Sequence, residues 1–168
     1  MTLPIAALAM LASACGKSDL AAPKKLCGVP LNEATVSPLI PQGEKLRTWD
    51  PDPLDTDPAY CYIIVDGIRA VNITVRWSDR DPNPEDWEYA KSGYKLGALR
   101  KTPFTGTAVI GSDGALISAK CNGPDKYMHF VIRLNGGRVE NSQAGVEKLQ
   151  HFIEDFATGA KQEAGCTA

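Results

Sequence analysis

Asp50, Asp52, Asp55 and Asp57 crowd into one short stretch, and their Asp-x-Asp spacing is a pattern by which loops offer hard oxygen ligands to Ca2+. The glycine that lets such a loop curl around an ion is missing, and Pro51 and Pro53 hold the segment extended. A second acidic group, Asp79, Asp81, Glu85 and Asp86, follows further along. The plainer reading of both groups is a solvated polar loop, and no metal ligand is assigned. His129 falls on the opposite strand face from Met128 and Phe130, alongside Tyr127, Val131 and Arg133. A general base needs a partner within hydrogen-bond reach, and the sequence names none. His151 lies between Lys148 and Asp155, off the apolar stripe of an expected helix. There is no Gly-x-Ser-x-Gly elbow, and Gly93 and Gly97 read as loop glycines rather than a phosphate cradle. No catalytic residue is assigned, and no motif asks for a cofactor. Trp49, Trp77 and Trp87 stand near the acidic stretches, where aromatics can form sugar or peptide platforms. Core or edge packing is the competing reading, most of all for Trp77.

The remaining reactive residues are five cysteines, Cys15, Cys27, Cys61, Cys121 and Cys166. None sits in a Cys-x-x-Cys pair or near a histidine at zinc-finger spacing, so structural disulfides are the expected use. An odd count in an oxidising compartment leaves one thiol over. Cys15 is the odd one. It follows the apolar run Leu3-Pro4-Ile5-Ala6-Ala7-Leu8-Ala9-Met10-Leu11-Ala12 and the small residues Ser13-Ala14, as a signal-peptidase site requires. That run is too short to span a bilayer. The arrangement resembles the bacterial lipoprotein signal, or lipobox. The resemblance implies a diacylglyceryl group on the Cys15 sulfur and a mature chain beginning there. Ala12 stands where the lipobox usually has Leu, and the usual positive start is expected upstream of Met1. A buried Ala/Leu helix, or a secretory signal without lipid, would be the alternatives. Four cysteines then remain, for which three pairings exist. Cys27–Cys61 with Cys121–Cys166 is preferred, because each bond would tie a loop or helix end to a strand edge.

The elements that must hold these residues can be read by periodicity. Residues 1–14 are the expected signal peptide and 15–26 a flexible, lipid-anchored tether. The eleven residues after Cys15 extend by at most ~40 Å. Residues 27–168 form a single extracytoplasmic domain. Asn32 is a fair cap for a short helix that Pro38 and Pro41 soon stop. Residues 44–49 read as a short edge strand, and the proline-rich 50–58 as a loop. Residues 60–65 and 68–77 flank Asp66-Gly67, the strongest hairpin signal in the chain. Within the second, Val71, Ile73, Val75 and Trp77 share a buried face and Asn72, Thr74 and Arg76 a wet one. Residues 84–91 suggest a short helix, 105–110 and 115–121 a second hairpin, and 127–134 an alternating strand. From 143 to 160, Val146, Leu149, Phe152, Ile153 and Phe156 make an apolar stripe at helical spacing. The expected fold is α+β. A mostly antiparallel sheet of five to six strands carries a short N-terminal helix, a short middle helix and a long C-terminal helix packed on one face.

An acylated Cys15, a tether, Cys27 before a short helix, Leu39-Ile40-Pro41-Gln42-Gly43-Glu44, and Cys61 opening a strand that ends in Val65-Asp66-Gly67 together resemble small actinobacterial cell-envelope lipoproteins of unknown function. That resemblance implies location and framework rather than a reaction. The net charge of −2, the pI near 5.7 and the lack of any basic stripe interleaved with aromatics give no argument for nucleic acid. The expected role is a non-enzymatic binding or interaction module on the outer face of the cell membrane. Its partners are the membrane, through the lipid, and an envelope protein or small-molecule ligand. An accessory subunit of a secretion or wall-synthesis complex is the alternative, with an exposed apolar patch as its sign. A small wall-acting hydrolase or isomerase would need a cleft beside His129 and the Asp79–Asp86 group.

Overall fold

The computed structural model describes residues 20–122, 127–136 and 139–166. Residues 1–14 and Cys15 lie outside the described residues, and so does the first part of the expected tether. The chain opens with β1 (Lys25–Leu26), β2 (Val29–Pro30) and α1 (Glu33–Val36). There follow β3 (Leu46–Trp49), β4 (Ala59–Val65), β5 (Ile68–Ser78) and α2 (Pro84–Gly93). It closes with β6 (Ala98–Arg100), β7 (Gly106–Ile110), β8 (Gly114–Lys120), β9 (Tyr127–Leu134) and α3 (Gln143–Glu163).

The architecture is α+β, and its main sheet has seven antiparallel strands in the order β3-β4-β5-β9-β8-β7-β6. A separate ribbon pairs β1 with β2. The strand count exceeds the five to six expected. The additions are β6, three residues long, and the ribbon strands of two residues each. Segments so short show no alternation from which a strand can be read. Lys25–Leu26, at the end of the expected tether, belong to that ribbon, and Leu26 is fully buried. Leu20 and Ala22 also pack against the core.

Turn chemistry sets the register. Asp66 and Gly67 adopt φ of 49° and 85°, the two positive values that a type I′ turn needs. The Asp66 carboxylate also accepts the backbone N–H groups of Glu44 and Lys45, at 3.1 and 2.8 Å. One side chain thus closes the β4–β5 hairpin and anchors the entry to β3. Asp113 repeats the device in the β7–β8 hairpin by accepting the Lys95 N–H at 2.8 Å.

Pairing places Ile73, Ile132, Ala115 and Ile110 in one row across the sheet, and Val75, Phe130, Ile117 and Ala108 in the next. All eight are buried. The stripe of α3 lies on this face, with Val146, Leu149, Phe152, Ile153 and Phe156 at 0–1% exposure. Phe156 meets Phe130 edge-on at 5.9 Å and stacks on Phe152 at 5.6 Å. Full burial of each such side chain contributes roughly 1.5–3 kcal/mol, so this contact is the centre of the core.

Two disulfides fasten the periphery to it. Cys27–Cys61 links the ribbon to β4, and Cys121–Cys166 links the end of β8 to the end of α3. This is the pairing preferred from sequence. The bonds span 34 and 45 residues. Loops of that size restrict the unfolded chain by roughly 3–4 kcal/mol per bond. Replacing Cys121 and Cys166 together by Ser is expected to lower the unfolding free energy by about that amount. Urea denaturation of the oxidised protein measures it, and a loss below ~1 kcal/mol would contradict the assigned constraint.

Candidate functional site

The second face of the sheet is only half covered. α2 starts at Asn83, whose side chain accepts the Asp86 N–H while the Asp86 carboxylate accepts the Asn83 N–H. The helix then lies over β7 and β8, where Ala90 and Tyr94 bury Val109, flanked by Trp87 and Leu116. Gly114 makes this approach possible, since a Cβ there would fall 2.5 Å from the Tyr94 ring. The Arg133 guanidinium sits 4.4 Å from the Tyr94 ring centroid and donates to the Gly93 carbonyl. Burial pushes the Tyr94 hydroxyl pKa up, and the charge of Arg133 pulls it the other way.

Beyond α2, the same face of β3, β4, β5 and β9 has no element over it among the described residues. Its residues follow from the register. Trp49, Tyr62, Asn72 and Arg133 form one cross-strand row, and Tyr60, Thr74 and Val131 form the next. Tyr62, on the middle strand of three, is flanked from β3 by Trp49, stacked at 5.1 Å. From β5 it is flanked by Arg69, whose guanidinium carbon stands 4.1 Å from the ring centroid. Trp49 remains 43% exposed and Tyr60 37%. Arg47 pairs with Ile64, which pairs with Arg69, so both arginines face the same way. Arg76 lies further along β5 on that face. Among the described residues, Arg47, Arg69 and Arg76 have no carboxylate within 4.0 Å. The strands themselves contribute no Asp or Glu to this face.

At the end of this surface next to α2, a cleft of about 570 Å³ is lined by Arg76, Asp81, Asp86, Tyr89, His129 and Val131, among others. His129 and two members of the second acidic group, Asp81 and Asp86, therefore line one cleft, while Asp79 and Glu85 do not. Asp86 is engaged in the helix cap, however, and the His129 Nε2 atom is buried without a hydrogen-bond partner among the described residues. Its neighbour across the β8–β9 ladder, Ser118, is fully buried with Oγ equally unpartnered. Burial lowers the His129 pKa; the charge of Asp81, a hydrogen bond to the Arg80 backbone, and the charges of Asp86 and Asp57 counteract it.

The first acidic group is organised differently. Asp52 faces the Tyr60 N–H and Asp57 the Trp77 N–H, each at 3.4 Å. The Trp77 indole donates to the Leu54 carbonyl at 2.8 Å, pinning the loop to the sheet. Asp50, Asp52 and Asp55 border a separate open depression with Glu163. Among the described residues no group of three His, Cys, Asp or Glu side chains is arranged to hold a metal ion. Nor is any described helix long and apolar enough to cross a membrane. His151 is exposed on α3. Trp77 packs on the core side of the sheet, Trp87 beside α2, and Trp49 on the uncovered side.

No protein-family model matches this chain, and neither the curated proteins nor the solved structures contain a match to it.

The neutral burial of His129 has a pH consequence. Its pKa in the fold lies below the unfolded value, so the unfolded chain binds more protons as pH falls through ~6.5. Stability should therefore decline on acidification from pH 7.5 to 5, and the decline should be shallower in His129→Gln. Chemical denaturation at a series of pH values reads this. Identical slopes in the two proteins would contradict the assigned environment.

Proposed function

We propose that this chain is exported, anchored through acyl groups on Cys15 at the extracytoplasmic face of the cell membrane, and acts there as a non-enzymatic binding module. The observation that carries this reading is the pairing of Cys27 with Cys61 and Cys121 with Cys166, which uses the other four of the five cysteines in the sequence and leaves Cys15 outside both disulfides. Disulfides persist in oxidising compartments outside the cytoplasm. The apolar run ahead of Cys15, and the small residues next to it, are what export and acylation call for. The binding surface is the uncovered half of the sheet. It combines an exposed indole, a stacked tyrosine and three arginines with no carboxylate within 4.0 Å among the described residues. Groups left unpaired on a rigid sheet are pre-organised to meet a ligand.

Intact-mass measurement on protein from the membrane fraction of the native host tests the anchor. A mature chain starting at Cys15 with a diacylglyceryl increment is expected, and Cys15→Ser should move the protein out of that fraction. A free Cys15 thiol, or a mature chain still beginning at Met1, sinks the reading.

A hydrolase or isomerase acting on wall material is the second reading, favoured by the cleft in which His129 meets Asp81. It requires turnover of wall-derived material by the wild-type chain and its loss in His129→Ala. Absence of turnover in the wild type removes it.

A further inference from the structure

We propose that the uncovered face binds an acidic polysaccharide, with one sugar ring lying on Trp49 and carboxylates of successive units meeting Arg47, Arg69 and Arg76. The inference deepens the binding-module reading and rests on it for the choice of surface, but it does not depend on the anchor.

Charge argues first. The whole chain carries −2, yet β3, β4 and β5 present three arginines with no carboxylate within 4.0 Å among the described residues, and the acidic side chains on this side, Asp81 and Asp86, are confined to the cleft at the Arg76 end. A partner that covers them must bring negative charge, because a cation buried without one is strongly penalised. Spacing argues next. Arg47 and Arg69 lie two strands apart, about 10 Å, while Arg69 and Arg76 are separated along β5 by roughly 20 Å. One small anion cannot touch all three. A polymer of charged units can, and the openness of the surface accommodates its length.

The aromatic geometry selects among polymers. Tyr62 has Trp49 on one side and Arg69 on the other, so its ring is already enclosed. A single-stranded nucleic acid needs several free ring faces in succession for its bases. Here the stack offers the outer side of Trp49, which suits the apolar face of one sugar ring, and the other exposed ring in these two rows, Tyr60, stands alone rather than in a succession. The half-buried Asn72, whose amide nitrogen donates to the Arg69 and Arg133 carbonyls, offers its Oδ1, and Thr74 its hydroxyl, to sugar hydroxyls. An acidic peptide adding as a strand would instead use the backbone of the β3 edge and leave the arginines on the face unused.

The test is calorimetric titration of the oxidised full chain with polygalacturonate, beside dextran, poly-L-glutamate and poly(U). Polygalacturonate should bind, and its affinity should fall at least tenfold between 50 and 500 mM NaCl, as screening weakens the arginine contacts. Dextran should not bind measurably. Trp49→Ala and Arg69→Gln should each weaken binding at least fivefold. The double variant Arg47→Gln/Arg76→Gln, which leaves the aromatic stack intact, should do the same, and melting curves confirm that each variant is folded. Absence of polygalacturonate binding overturns the proposal. So does equal affinity for poly-L-glutamate or poly(U), or affinity that all three variants leave unchanged. An unmodified Cys15 would remove the anchor while leaving these results standing; loss of polymer binding would do the reverse.

Discussion

A seven-stranded sheet has two faces to bury, and among the described residues one helix is long enough to seal one of them. The 21 residues of α3 cover the rows centred on Phe130, and the Phe130–Phe156 contact fixes where the helix lies. On the other side the described residues supply α2, ten residues long, which packs across β7 and β8. The remaining strands must present side chains that tolerate water. They do so with arginines, tyrosines, an asparagine and a threonine. The composition of the candidate site thus follows from the shortage of covering helix.

The sheet is also built from two similar halves. β3-β4-β5 forms one meander and β6-β7-β8 another, and β9 enters between β5 and β8 to join them. In each half an aspartate in the second hairpin turn, Asp66 or Asp113, accepts main-chain N–H groups from the segment leading into the first strand. The carboxylate replaces ladder partners that a chain just entering the sheet has not yet found. The halves differ in what lies above them. Tyr94 and α2 close the second, while Trp49 and Tyr62 leave the first open.

Much of this was legible from local pattern. The alternation in 68–77 and 127–134, the Asp66-Gly67 turn and the apolar stripe of α3 each encode their own structure within a few residues. β6 and the ribbon were not legible, because two or three residues carry no period and owe their pairing to neighbours or to a disulfide. The candidate site was legible only in pieces. Arg76 and the wet side of β5 follow from alternation, and His129 and Asp81 stood out by type. The alignment of Trp49, Tyr62 and Arg69 is a matter of register between three strands, and no local window contains it. A basic and aromatic surface can therefore be assembled from a sequence with no basic or aromatic run.

The ribbon at Cys27 gives the domain a polarity. Leu20, Leu26 and Val29 all pack into the core on the α3 side, so the N-terminal end of the described chain is fastened to the face of the sheet opposite the one that carries Trp49. Leu20 is the fifth residue after Cys15, a reach of at most ~18 Å. An anchor at Cys15 would hold the back of the domain toward its support and turn the arginine-bearing side outward. Such a module would behave less like a float on a line than like a tile, cemented on one side and patterned on the other.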